Sequence, residues 1–124
     1  MKLHLDRPIG QNIVTALGDG YVEINGQRHD ASLLVMPQRL EPGWGLAGFD
    51  ALGAADFAAI AALGCEVLLF GTGRRQRFPD PALLQPLIAA RIGVEVMDSA
   101  AACRTYNILT AEGRNVAAAL LLDR

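Results

Sequence analysis

The residues best suited to chemistry are Gly71-Thr72-Gly73-Arg74-Arg75-Gln76-Arg77, which follow directly on the apolar run Val67-Leu68-Leu69-Phe70. A Gly-x-Gly at the end of a buried strand turns the chain sharply and brings backbone amides to the surface, where they can cradle an anion. The Thr72 hydroxyl and the guanidinium groups of Arg74, Arg75 and Arg77 would add donors to such a cradle. In open α/β sheets ligands bind beyond the carboxyl ends of the strands, which is where this loop should lie. For a nucleotide the motif is incomplete. Gln76 stands where a dinucleotide fingerprint needs its third glycine, and no Walker lysine follows. What remains is a cradle for a smaller anion, or a plain turn whose arginines are solvated or hold carboxylates such as Asp80.

A second concentration of polar groups is Arg104-Thr105-Tyr106-Asn107, next to Cys103. Side chains of this kind are not buried cheaply without partners. They either close a small-ligand pocket against Gly71-Thr72-Gly73 or form an internal network that fixes the long glycine-rich loop of residues 36–53. Cys103 lacks a placed base, since His4 and His29 both lie in the first third of the chain, so a cysteine nucleophile is a poor reading. No catalytic residue is assigned. Two separated histidines and two separated cysteines give no metal-ligand spacing, and no cofactor is implied.

The elements that must position these residues are legible from pattern. Residues 13–17 read as a strand, and Gly18-Asp19-Gly20 as the turn after it. Residues 21–24 follow, then Asn25-Gly26, the strongest short hairpin signal, with residues 27–35 as the returning strand. That makes an antiparallel meander of three strands. Residues 36–53 read as a long irregular connection, rich in glycine, with Trp44 plugging the edge of the core. An alanine-rich helix over residues 54–63 stops at Gly64 and leads into a strand at 66–70. Asp80 and Pro81 open a second helix with Leu84, Leu87 and Ile88 as its stripe, and Pro86 must kink it or shift its start. Gly93 releases a strand at 94–97, and Asp98-Ser99 caps a third helix reaching Glu112. Glu112-Gly113-Arg114 reads as a salt-bridged turn before residues 116–122, a run buried on both faces. The expectation is a single three-layer α/β domain spanning 1–124, its meander joined to a β-α-β-α-β unit in a mixed central sheet.

Composition bounds the function. With 52% hydrophobic and 19% charged residues over 124, the chain can bury a real core. A net charge of −2 implies no nucleic-acid partner, the three clustered arginines being a local feature. Residues 1–10 carry no signal-peptide hydrophobic stretch, and the apolar region 54–70 is interrupted by Asp56, Gly64 and Glu66. A cytoplasmic protein without stable membrane insertion is expected, with two reduced thiols.

Several segments together resemble one known family: Leu69 to Gly73, Phe78-Pro79, Gly93-Val94-Glu95-Val96-Met97-Asp98, Ala102-Cys103-Arg104-Thr105-Tyr106-Asn107-Ile108-Leu109, and Glu112 to Leu120, in this order. They resemble the small, largely uncharacterised domain family that contains the mitochondrial complex I (NADH dehydrogenase) assembly factor three. The resemblance implies a three-layer α/β fold with a mixed sheet and no established catalysis. It further implies action by protein–protein contact, as in the mitochondrial relative during assembly of a respiratory membrane complex. A bacterial-type member is expected, as a mitochondrial targeting extension is lacking. The expected function is thus a non-enzymatic accessory protein whose unidentified partner meets Trp44, Arg75 and Arg77, with room for a homo-oligomer. The alternative is a small-ligand or anion-binding domain, or an enzyme, with its pocket between Gly71-Thr72-Gly73-Arg74 and Arg104-Thr105-Tyr106-Asn107.

Overall fold

A computed structural model describes residues 10–123; the expectations for residues 1–9, His4 among them, lie outside these. Strands β1 (Val14–Gly18), β2 (Tyr21–Ile24) and β3 (Gln27–His29) form an antiparallel sheet of their own. Asn25 and Gly26 both take positive φ, 53° and 82°, as a type I′ turn demands of its two central residues.

The expected single strand over 27–35 is two strands. It breaks at Asp30, which pairs with Arg28 at 2.7 Å, and resumes as β4 (Leu33–Met36) in a different sheet. The connection expected to be irregular from residue 36 begins instead with a hairpin, as β5 (Arg39–Pro42) folds back on β4 around Pro37 and Gln38. Alternation in Arg39-Leu40-Glu41, bracketed by Pro37 and Gly43, was the signal for it.

The central sheet runs β5-β4-β8-β6-β7, where β6 is Val67–Gly71, β7 Gly93–Met97 and β8 Val116–Leu120. β6 and β8 are parallel, as are β6 and β7, while β8 meets β4 antiparallel. Every residue of β6 and β8 is buried, as two continuous apolar runs require. Their alternate side chains feed two cores. On one face Leu33, Val35, Leu69, Ala118 and Leu120 pack under helix α3 (Ser99–Ala111) and the meander. On the other, Leu34, Leu68, Phe70, Ala117 and Ala119 pack under α1 (Ala54–Leu63) and α2 (Gln85–Ala89). The fold is therefore the three-layer mixed α/β architecture expected from the pattern. The β6-to-β7 crossover runs outward and the β7-to-β8 crossover runs back, so right-handed connections put their helices on opposite faces.

Local signals operate as read. Asp98 accepts from the Ala101 amide at 2.8 Å to cap α3. Asp80 caps a short 3-10 turn over Pro81–Leu84, and α2 starts only at Gln85, so Pro86 lies in the first turn where no N–H is needed. Ile88 departs from the expected stripe: α2 is a single turn and a half, and Ile88 faces outward, 56% exposed.

Candidate functional site

Gly71 ends β6 against the first turn of α3. A Cβ built there would stand 2.9 Å from the Ser99 Cα and Oγ, so only glycine lets the helix start so close to the sheet. Buried Ser99 uses that proximity. Its hydroxyl accepts from the Gly73 amide at 2.9 Å and donates to the Leu121 carbonyl at 2.7 Å, while its own N–H reaches the Gly73 carbonyl at 2.8 Å. One side chain thus ties together the exits of β6 and β8.

The remaining groups of the loop are engaged in the same way. The Thr72 amide donates to the Met97 carbonyl at 2.9 Å, and its buried hydroxyl donates to the Arg75 carbonyl at 2.7 Å while accepting from the Arg77 amide at 3.0 Å. The Arg74 amide donates to the Asp123 carboxylate at 2.6 Å. Gly73, at φ 100°, leaves room for that carboxylate, since a Cβ there would lie 2.5 Å from one of its oxygens. The anionic group that meets this loop is the protein's own Asp123, held through the Arg74 amide, while the Thr72 and Gly73 amides are taken by Met97 and Ser99.

The arginines divide. Arg74 reaches across to Asp19 at 3.5 Å, and Arg75 is exposed. Arg77 lies 4.4 Å over the Phe49 ring and donates to the Thr72 carbonyl at 3.2 Å, which makes it a structural clamp. None of the three pairs with Asp80 in the described contacts, which instead caps its turn. Arg114 pairs with Glu66 at 3.5 Å rather than closing the expected turn with Glu112.

A hollow of about 280 Å³ lies beside this loop, walled by Leu17, Gly18, Ser99, Ala100, Leu121 and Leu122. It opens past Asp19, Arg74 and Asp123. Two carboxylates against one guanidinium give that mouth a negative balance, which disfavours an anionic ligand. The hollow is at the carboxyl ends of the parallel strands, and its second wall is the β1–β2 turn.

The Arg104-to-Asn107 segment does not reach it. From Ser99 to Asn107 is eight residues of helix, about 12 Å along the axis. There Asn107 accepts from the Val14 amide at 2.9 Å and donates to the Val14 carbonyl at 2.7 Å. The Tyr106 hydroxyl donates to the Asn12 carbonyl at 2.8 Å. Both side chains hold the meander rather than a ligand, Thr105 is half-buried and Arg104 exposed. The pocket expected between these two segments is therefore absent among the described residues. Trp44 is the expected plug: its indole N–H donates to the Asp56 carbonyl at 3.1 Å, and its ring meets Phe57 and Phe70 edge-on at 5.7 and 6.0 Å.

Cys103 lies in the middle of α3, fully buried, and burial pushes its thiol from 9.0 up to about 12. The Tyr106 phenol is raised above 10.0, again by burial. Neither group is an activated nucleophile. The folded state holds these protons more tightly than the unfolded chain, so the stability they contribute is complete below pH 9 and is lost as pH rises towards 12. Cys103 begins that decline, and Tyr106 adds to it above pH 10. Urea titrations of wild type and Cys103→Ala between pH 8 and 10.5 check this: the variant's stability should fall less steeply with pH. Among the described residues no group of three histidine, cysteine or carboxylate side chains is placed to hold a metal.

Two residues central to this site escaped the sequence reading. Ser99 was read only as part of a cap, and Asp123 lies past the last apolar run. A small hydroxyl at the first helical position facing a glycine at a strand end is the one signal that pointed to Ser99.

Comparison with known proteins bears on what this arrangement is for. A family model described as protein of unknown function (DUF498/DUF598) matches residues 14–121. An uncharacterised protein of Rhodobacter capsulatus is 37% identical over 110 residues, covering 87% of this chain and 82% of that protein. NADH dehydrogenase (ubiquinone) 1 alpha subcomplex assembly factor 3 of Xenopus tropicalis is 32% identical over 111 residues; these cover 88% of this chain but only 60% of the assembly factor. A crystal structure of a Bordetella parapertussis protein superposes with a TM-score of 0.86 at 44% identity, covering 94% of this chain and all of that one.

Proposed function

This chain belongs to the DUF498/DUF598 family, and from that premise we propose that it works as a non-enzymatic accessory protein, binding other proteins rather than transforming a substrate. The closer form of the proposal is a role in assembling a respiratory NADH dehydrogenase, by analogy with the assembly factor it is similar to. The observation that carries it is the state of the Gly71 loop. Its amides are engaged by Ser99, Met97 and Asp123, while the groups it sends outward are Arg74, Arg75 and the 75%-exposed ring of Phe78. Arginine and aromatic side chains are the types that dominate protein interfaces. Trp44 and Arg77 support that surface from beneath. No described helix is long and apolar enough to cross a membrane, and the proposed working place is the cytoplasm, at assembling subunits. The rival reading, a small-ligand domain, would use the hollow beside Ser99.

Arg74→Ala with Arg75→Ala and Phe78→Ala should change folding stability by less than about 1 kcal/mol, because exposed charges and rings contribute little to it. The same variant, returned to cells lacking the gene, should fail to restore NADH dehydrogenase assembly, read on native gels of the membranes. Normal assembly in the deleted cells would overturn the respiratory role. Full rescue by the triple variant would overturn the loop as the contact surface.

A further inference from the structure

The central sheet ends on β5, whose outer side no described strand covers. The Gly43 amide donates to the Ser32 carbonyl at 3.2 Å, which sets the alternation of the β4–β5 ladder. Glu41 and Arg39 therefore bond inward to Leu34 and Met36, and Leu40 presents its N–H and C=O outward.

We propose that two copies of this chain associate by antiparallel pairing of their β5 strands about a two-fold axis through Leu40, joining their five-stranded sheets into one of ten. In that register the Leu40 N–H and C=O groups of the two copies bond reciprocally. Arg39 of each copy then stands directly opposite Glu41 of the other, as a closely spaced pair on the same face. The neighbouring register, centred on Glu41, sets Glu41 against Glu41 and asks Pro42 for an N–H that it lacks, so charge and proline together select Leu40.

Proteins blunt exposed edges with like charges that repel a second copy. Here the two charges are opposite and two residues apart, which makes the edge complementary to itself, as a two-fold interface must be. Arg39 and Glu41 now pair with each other at 2.9 Å, both about half exposed, so exchanging that contact for the cross-strand one sacrifices little. Beside the same edge runs an apolar groove of about 350 Å³ between β5 and α1, lined by Leu34, Pro42, Trp44, Ile60 and Leu63. The two-fold axis stands perpendicular to the sheet, so both grooves open on one face and meet at the seam.

The test is sedimentation equilibrium on the full chain and its charge variants, with melting temperature as the check on folding. Wild type should dimerise. Arg39→Glu and Glu41→Arg should each weaken the dimer about tenfold or more, because each replaces two cross-strand attractions by two repulsions. Mixed in equal amounts, these two variants should form a one-to-one heterodimer by native mass spectrometry, and the charge-exchanged double variant should regain the homodimer. A wild-type chain that stays monomeric at a few hundred micromolar overturns the proposal. So does a dimer indifferent to both single variants, which another face would be holding, or a mixture that fails to pair.

Discussion

Asn107→Ala is expected to lower stability by about 3–5 kcal/mol, since it leaves the buried Val14 N–H and C=O unpaired at once. The side-chain amide stands in for a neighbouring strand: one acceptor and one donor meet the two backbone groups of a single residue. β1 begins there, and among the described strands the meander has no ladder bond to the central sheet, so this amide, with the Tyr106 hydroxyl on Asn12 just before β1, helps attach it to α3. Hydrogen exchange should show β1 to β3 losing protection before the central sheet does. Asn107→Asp is the sharper test. Its ionised carboxylate keeps the acceptor but turns a second oxygen towards the Val14 carbonyl. Once protonated it can donate again, so this variant should gain stability as pH falls, where the alanine variant should not. Equal protection of meander and sheet in Asn107→Ala would show that apolar contacts alone hold the first sheet.

Phe70→Ala is expected to cost about 3–5 kcal/mol in urea denaturation, the range for emptying a fully buried aromatic site. Phe70 is the ring the others share. Phe57 meets it at 5.4 Å and Trp44 at 6.0 Å, both edge-on, and Phe49 lies parallel at 6.2 Å. Trp44 and Phe49 carry the glycine-rich stretch after β5, and Arg77 rests on Phe49, so the loss should loosen residues 43–53 and the arginine loop together. Tryptophan emission should shift to the red in the variant before global unfolding. Phe70→Leu should recover about half of the loss, because it refills volume without the edge contacts.

What could be read in the sequence follows from the range of the forces involved. Strand β8 and the type I′ turn at Asn25-Gly26 were plain because periodicity and local φ preferences act within a few residues. The cap at Asp98 was plain for the same reason. The break at Asp30 was not: whether a strand stays in one sheet depends on where Leu33 and Val35 find cover, which is β8 and α3, far along the chain. The candidate site divides in the same way. Its place at the end of β6 was legible from Gly71-Thr72-Gly73. Its occupant was not, because the contact between Asp123 and the Arg74 amide spans 49 positions. Tyr106 and Asn107 were rightly singled out as groups that need partners, yet no local pattern could say that Asn12 and Val14 would supply them.

Strand β8 lies between β4 and β6 but follows both in the chain, so a strand made after them is the one that joins the two halves of the central sheet. Until it arrives, β4 and β6 have open edges that face no native partner, and the β1 to β3 meander waits on α3 as well. A nascent chain of this protein cannot complete its sheet in stages from the amino end. It must keep two apolar half-sheets apart in the crowded space at the tunnel exit, then close them in one late step. Translational pausing near Val116, or loss of a nascent-chain chaperone, should therefore affect its yield more than the stability of the finished fold would suggest.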